Sequence, residues 1–210
     1  MERKIKNFYN QLISIQQAIL IDEYSIEYFE NGIIQKIEYY EDGDMYDIQV
    51  YNNNNENESE FVTNTFKSYS HLNEITIAYR TILANGFCID TEKTFMIDGT
   101  LLFLYKNLYD LDGECICQQV YDIQTNLPIF KRTIKQYYNR SIDPEVEIFR
   151  SNFNEDGSLS EIHYDIFSYQ DDEYFHNTPD DLARLSRLTG LTIEQLEYFV
   201  IPDILPPPTF

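Results

Sequence analysis

Residues 24–51 read YSIEYFENGIIQKIEYYEDGDMYDIQVY, and this stretch predicts two β-hairpins that share a middle strand. The turns are the Asn-Gly pair at 31–32 and the Asp-Gly pair at 42–43. Both pairs suit the type I′ turn, because its two central residues need a positive φ and these residue types tolerate it. We therefore expect three antiparallel strands joined by two-residue loops.

Counting outward from these loops predicts which side chains share a face of the sheet. The predicted core face carries Ile26, Tyr28, Ile37, Tyr39, Tyr46, Ile48 and Val50. On the outer face, the same count places Glu38 directly opposite Asp47, and like charges in that position are destabilising. Because folding does not explain this pair, we interpret the outer face as a candidate binding surface.

The rest of the chain repeats the hairpin signal. Six of the seven glycines directly follow Asn or Asp between strand-forming runs, namely Gly32, Gly43, Gly86, Gly99, Gly113 and Gly157. Short strands joined by such turns predict a large antiparallel β-meander. The polar run NNNNENES at 52–59 predicts a surface loop.

Three helices complete the predicted α+β fold. Apolar residues recur every three or four positions over residues 3–20, which predicts an N-terminal helix. Thr178 followed by Pro179, and Thr192, predict the starts of two short C-terminal helices at 179–188 and 193–199. We expect a single domain over residues 1–210: a helix at 1–22, the antiparallel sheet at 23–170, and a helical pair with a Pro-rich tail at 171–210.

Charge restricts the partners that this chain can have. Its 210 residues include 36 acidic and 15 basic side chains, for a net charge of −21. The excess lies in residues 20–63 and 141–183, each with twelve acids and one base. Such a chain repels nucleic acid and anionic lipid surfaces and attracts cationic proteins. We expect a basic protein partner, no nucleic acid and no membrane.

Motifs for cofactors, metals and nucleophiles are missing from the sequence. We find no Gly-rich phosphate loop, no HExxH and no serine elbow, and so expect no cofactor and no metal. No apolar run is long enough to span a membrane, and the basic N-terminus lacks the apolar stretch of a signal peptide. The three cysteines predict reduced thiols and a cytoplasmic location.

One cluster nevertheless suggests chemistry. Glu161, His163 and Asp165 alternate along a predicted strand and so share a face, as in an acid–base or metal site. The turn at 156–157 places Arg150 opposite His163, and a charge-balanced exposed face explains the same residues. A small hydrolase or metal-dependent enzyme is therefore the alternative to a binding protein, and self-assembly through Tyr-rich faces is a third possibility.

Two hairpins, YFENGIIQKIEYYEDGDMYDI and FNEDGSLSEIHYDIF, resemble the repeating units of YD- and MORN-type β-hairpin proteins. The shared pattern is an aromatic strand, an Asn/Asp-Gly turn and a second strand with Tyr. Some relatives of those proteins belong to bacterial toxin–immunity systems, so the resemblance implies a role of that kind.

Charge and resemblance together predict a non-catalytic, acidic immunity protein or inhibitor. It would mask a cationic toxin or effector by electrostatic attraction. The candidate contacts lie in the two acidic segments: Glu38, Asp42, Asp44, Asp47, Glu145, Glu147, Glu161 and Asp165.

Overall fold

Strand predominates over helix in this protein. The computed structural model describes residues 1–7, 11–139, 146–164 and 173–204, and its twelve strands form one sheet whose neighbours follow the chain order. The strands are β1 (Glu2–Asn7), β2 (Glu23–Glu30), β3 (Ile33–Glu41), β4 (Asp44–Tyr51), β5 (Glu74–Ile82), β6 (Cys88–Met96), β7 (Leu101–Tyr109), β8 (Cys115–Tyr121), β9 (Ile134–Asn139), β10 (Val146–Phe153), β11 (Leu159–Tyr164) and β12 (Glu173–Phe175). The helices are α1 (Ile15–Ala18), α2 (Glu58–Ser68), α3 (Pro179–Thr189) and α4 (Ile193–Val200). The predicted α+β class is wrong, because this is a sheet protein whose helices lie mainly late in the chain.

The N-terminal helix is the clearest error of that prediction. Residues Glu2–Asn7 form β1, which pairs antiparallel with β2, and α1 has only four residues. Pairing with β2 satisfies the backbone of β1 and brings Lys6 to 2.9 Å from Glu27 in an ion pair. A short amphipathic segment can satisfy either period, so the neighbouring strand decides its conformation.

The predicted turns and C-terminal helices are confirmed. All six Asn-Gly and Asp-Gly pairs lie between consecutive strands, and each of their glycines has a positive φ. The Thr178 hydroxyl caps α3 and the Thr192 hydroxyl caps α4, as expected. Local turn and cap chemistry therefore fixes these boundaries.

A helical crossover interrupts the predicted antiparallel meander. β4 and β5 pair in parallel, so the chain must pass over the sheet between them, and α2 makes this passage. The predicted loop over 52–59 ends at Asn57, whose side chain accepts a hydrogen bond from the Glu60 amide and caps α2. The polar run thus contains a helix start.

The contacts divide the chain into two compact units. The first comprises Met1–Arg80 and Thr91–Leu104. Within it, α2 packs on one face of the strands, which we call the α2 face. The core of that face is Ile48, Val62, Phe66, Leu72, Ile75, Ile77 and Phe95. A smaller cluster, Ile34, Tyr51 and Ala78, is a separate part of the core.

The second unit comprises Thr81–Asp90 and Tyr105–Phe210. In its described part, α3 and α4 pack on the strands around buried apolar side chains. These include Leu108, Ile116, Phe149, Ile162, Phe175, Leu185, Leu196 and Phe199. The single domain over 1–210 stays a prediction.

Two β-bulges change the predicted register of the first hairpins. Both loops have the expected two residues, since Glu30 lies opposite Ile33 and Glu41 opposite Asp44. Beyond the loops, Gln35 and Tyr46 are extra residues with no residue opposite. Each bulge shifts the pairing that follows it by one residue.

The shift reverses the two faces of β3 relative to β2 and β4. Glu38, rather than Ile37, lies opposite Ile26 and Ile48. The predicted core face is therefore wrong for β3: Glu38 and its neighbour Lys36 point to the α2 face.

Candidate functional site

Glu38 is buried on the α2 face, so its predicted place on the outer face is wrong. Its residue exposure is 6%. The carboxylate accepts hydrogen bonds from the hydroxyls of Tyr28 at 2.6 Å and Tyr40 at 2.9 Å, and from the Lys36 ammonium at 2.6 Å. These bonds fix Glu38 inside the first unit and remove it from the candidate binding surface.

The Lys36 ammonium completes this buried polar network. It donates a second hydrogen bond to the Tyr69 hydroxyl at 2.8 Å and lies 4.2 Å from the ring centroid of Tyr28. Burial by itself raises the pKa of Glu38, but the bonds from Lys36, Tyr28 and Tyr40 bring that pKa below its ordinary value. Burial lowers the pKa of Lys36, and its bonds to Glu38 and Tyr69 raise it above the ordinary value. Both groups are therefore charged.

Asp47, the other half of the predicted like-charge pair, lies opposite Tyr39. Its side chain accepts a hydrogen bond from the Ile48 amide at 2.7 Å, and burial raises the pKa of its carboxyl. Glu38 and Asp47 are thus on opposite faces of the hairpin, and the predicted pair does not exist.

The true register brings a different set of like charges together. Glu41 lies directly opposite Glu23 on β2 and directly opposite Asp44 on β4. All three residues are exposed, and we call them the acidic row. Three carboxylates thus lie side by side across three neighbouring strands.

Further charge and one aromatic ring surround the acidic row. The Asp42 amide donates to the carbonyl of Asp22 at 2.8 Å, which holds the β3–β4 turn against the start of β2. Tyr46 is 53% exposed. Its pKa is raised by partial burial and by the negative charges of Asp47, Glu23 and Glu41, so its hydroxyl lies within the electrostatic field of the row. Five lysine or arginine ion pairs of the described residues use carboxylates outside the row: Glu27, Glu38, Glu58, Glu155 and Glu173.

Sequence reasoning found only part of this surface. Asp42 and Asp44, two of the predicted contacts, are exposed. The place of Glu41 opposite Asp44 follows from a two-residue loop alone, so that signal was present. The place of Glu23 opposite Glu41 depends on the bulge at Gln35, and no residue pattern predicts that bulge.

The second acidic set is only partly described. Glu145 and Asp165 lie outside the described residues, as does the side chain of Glu147, whose backbone belongs to β10. Glu161 is half-buried on β11.

Of the cluster predicted for catalysis, Glu161 and His163 lie on β11, and Asp165 lies outside the described residues. Arg150 lies opposite His163, as predicted, and the His163 ring stacks on Tyr174 with centroids 4.9 Å apart. Within the described ranges, no group of three His, Cys, Asp or Glu side chains could hold a metal ion. These contacts suit a packed row across neighbouring strands.

Side chains that could act as nucleophiles or bases are fully buried in the second unit. Lys135 lies opposite Cys117 on β8 and opposite Ser151 on β10, and all three are 0% exposed. The Lys135 ammonium donates to the Tyr198 carbonyl at 2.7 Å and lies 3.5 Å from that ring's centroid. Burial lowers the pKa of Lys135 to about 7 and raises the pKa of Cys117 to about 11. With no exposed surface, this set is part of the core.

A groove of about 590 Å³ lies beside α2 in the first unit. Val62, Phe66 and Phe95 line it together with charges of both signs, Glu58 and Lys67 among them. The charged side chains that line it are Glu58 and Asp98 against Lys67, so the groove carries both signs.

Comparison with known proteins found no family model, curated protein or solved structure that matches the chain. The function is therefore argued from the geometry alone. The resemblance to YD- and MORN-type hairpin proteins stays an expectation. Within the part of the chain that the structure describes, every helix is too short or too polar to cross a membrane.

Proposed function

We propose that this protein is a non-catalytic binding protein whose acidic row receives a cationic protein partner. The observation that carries the proposal is the direct register of Glu23, Glu41 and Asp44 on exposed surface. Like charges directly opposite one another destabilise a sheet. Because the row costs the fold stability, a role in binding explains it better than a role in folding.

The mechanism is electrostatic steering followed by occlusion. A patch of one sign raises the association rate of an oppositely charged partner, and salt weakens the effect. Tyr46 offers an exposed aromatic contact beside the row, the residue type that is enriched at protein interfaces. In its specific form, the partner is a toxin or effector whose cationic site is masked, as an immunity protein would do. The three cysteines form no disulfide with one another, which supports a cytoplasmic location.

The test compares two variants with the same change in charge. One neutralises the acidic row with Glu23→Gln, Glu41→Gln and Asp44→Asn; the control neutralises Glu30, Glu56 and Glu74, which are exposed elsewhere in the first unit. Each full-length chain is used to capture basic proteins from native lysate, and association with the captured protein is timed at low and high salt.

We expect the row variant to associate about tenfold more slowly at low salt and to lose most of its salt dependence. The control should behave like the wild type. Equal association rates for the two variants would overturn the proposal.

A further inference from the structure

A run of exposed aliphatic side chains lies in the connection between β1 and β2. Ile19 is 73% exposed and Leu20 is 84% exposed. Three more aliphatic residues of this connection, Leu12, Ile15 and Ile21, are also exposed. We call residues 12–21 the apolar segment. Soluble proteins rarely expose so many large apolar groups together except where something binds.

The apolar segment is held in place by hydrogen bonds. The Ile13 amide donates to the carbonyl of Ile5 on β1 at 2.9 Å. Ser14 and Gln17 form a capping box that starts α1, and the Leu20 amide closes the next turn on the Gln17 carbonyl at 3.0 Å. A surface already ordered in the free protein loses less conformational entropy on binding.

The apolar segment leads directly along the chain into the acidic row. Ile21 is followed directly by Asp22, whose carbonyl accepts the hydrogen bond from Asp42 in the β3–β4 turn. The next residue, Glu23, is the first member of the acidic row. Exposed aliphatic groups therefore end where five carboxylates, on residues 22, 23, 41, 42 and 44, begin.

We propose that this combined surface binds a cationic amphipathic segment of the partner, which rests on the proposed function and specifies its binding element. An apolar stripe would cover Ile19 and Leu20, and lysines or arginines beside the stripe would reach the acidic row. Charge complementarity selects this occupant. A second copy of the chain would bring its own carboxylates against the row, and an anionic lipid surface would be repelled by it.

Neighbouring β1 carries three basic side chains, of which Arg3 lies opposite Tyr28 on β2. Lys6 is held in an ion pair by Glu27, and the Lys4 ammonium lies 4.7 Å from the ring centroid of Phe29. Lys4 and Lys6 thus make their contacts with β2, and the five carboxylates beside the apolar segment outnumber the three basic side chains of β1.

The two parts of the surface should affect different rate constants. The acidic row acts at a distance and sets the association rate. The apolar segment acts only on contact, so its loss accelerates dissociation. Ile19→Ser with Leu20→Ser removes the contact without disturbing the core, because both side chains are exposed. Ile82, also 73% exposed but outside the first unit, provides the control Ile82→Ser.

The probes are three synthetic peptides of about 18 residues, or five helical turns. The first is a Leu/Lys helix with all leucines on one face. The second has the same composition in shuffled order, and the third has the same charge with serine in place of leucine. Binding to the full-length chain is measured by stopped flow or surface plasmon resonance, beside sedimentation of the chain alone and with anionic phospholipid vesicles.

We expect the amphipathic peptide to bind at least about tenfold more tightly than the other two. We expect Ile19→Ser with Leu20→Ser to remove that advantage through faster dissociation at an unchanged association rate, and Ile82→Ser to have no effect. Equal binding of all three peptides to the wild type and the double variant would overturn this inference and leave the proposed function standing. Failure of every cationic peptide to bind would overturn both. Self-association or vesicle binding that the double variant abolishes would overturn the assignment of the occupant.

Discussion

The Glu38 carboxylate lies 2.6 Å from the ammonium of Lys36, two residues away on the same strand. Their side chains are only 9% and 23% exposed, so both charges have lost most of their water. Three tyrosine hydroxyls, from Tyr28, Tyr40 and Tyr69, replace part of that hydration. The cost of burying an ion pair is offset only when such additional hydrogen bonds are present.

Removing one partner should therefore cost more than removing both. We expect Glu38→Gln to lower the free energy of unfolding by about 2–3 kcal/mol, because it leaves a mostly buried ammonium without its counter-charge. Glu41→Gln relieves the like charges on both sides of an exposed residue and should raise the free energy of unfolding by about 0.5 kcal/mol. Urea denaturation measures both. The double change Lys36→Met with Glu38→Leu should recover most of the loss, and equal stability of Glu38→Gln and Glu41→Gln would contradict this account.

The buried Lys135 predicts how stability depends on pH. Its pKa is about 7 when folded, against 10.5 for an ordinary lysine, so between these values the unfolded chain binds more protons. Stability should then rise with pH from 7 to 9, by up to about 1.4 kcal/mol per pH unit. Above pH 9 the raised pKa of Cys117 acts in the opposite direction. Denaturation curves at a series of pH values should show the rise in the wild type and lose it in Lys135→Met.

The exposed Lys131 provides the control for that experiment. Its side chain is 67% exposed, so Lys131→Met should keep the wild-type slope between pH 7 and 9. A wild-type slope that survives Lys135→Met would show that another group titrates in this window.

The bulge at Gln35 should be removable. Gln35 is the extra residue on β3 between two pairs, Phe29 with Ile34 and Tyr28 with Lys36. Deleting it makes these pairs consecutive and leaves every later pair of β2 with β3 unchanged. We expect a change of about 1 kcal/mol in the free energy of unfolding, with the cross-strand contact between residues 38 and 48 retained in NMR spectra. Deleting Ile37 instead shifts the strand beyond it and should abolish that contact. Loss of the contact in both deletions would contradict the assigned register.

Two turn glycines separate backbone strain from steric contact. Gly43 and Gly157 both have a φ of 85°, which costs an alanine roughly 1 kcal/mol. A Cβ on Gly43 would meet no atom within 4 Å, whereas on Gly157 it would lie 3.1 Å from Phe130 and 3.2 Å from Pro202. Thermal unfolding should show Gly157→Ala to be about 1 kcal/mol more destabilising than Gly43→Ala. Equal losses of unfolding free energy in the two variants would mean that Phe130 and Pro202 move away from the added methyl group at no cost.

The features that could be predicted from sequence are those that one or two residues decide. Asn31 and Gly32 form their turn whatever the register of the strands on either side, because both adopt a positive φ. Thr178 caps the start of α3 by a local hydrogen bond, and Pro179 suits the first helical position. The strand β1 could not be predicted, because its conformation depends on β2. The parallel pairing of β4 with β5 likewise depends on packing of α2 that no local pattern contains.

The candidate surface was predictable to the same extent. Asp42 and Asp44 belong to a turn, so their exposure follows from the Asp-Gly pair alone. The predicted face of Glu38 is wrong because bulges at positions 35 and 46 each add a residue and so interrupt the alternation of side chains. A bulge reflects the twist of the whole hairpin, and Gln35 and Tyr46 are ordinary strand residues.

The reversed face of β3 also determines which misfolded hairpins this chain can form. A one-residue slip of β3 would carry Lys36 and Glu38 to the face that holds Glu27 and Asp47, and away from their tyrosine partners. The Tyr and Ile residues of β3 can pack in either the native or the slipped register. The buried pair of Lys36 and Glu38 therefore provides the energy difference that favours the native one. A chain with apolar residues at both positions should keep its equilibrium stability and yet refold through a trapped, misregistered species, visible as an added slow kinetic phase.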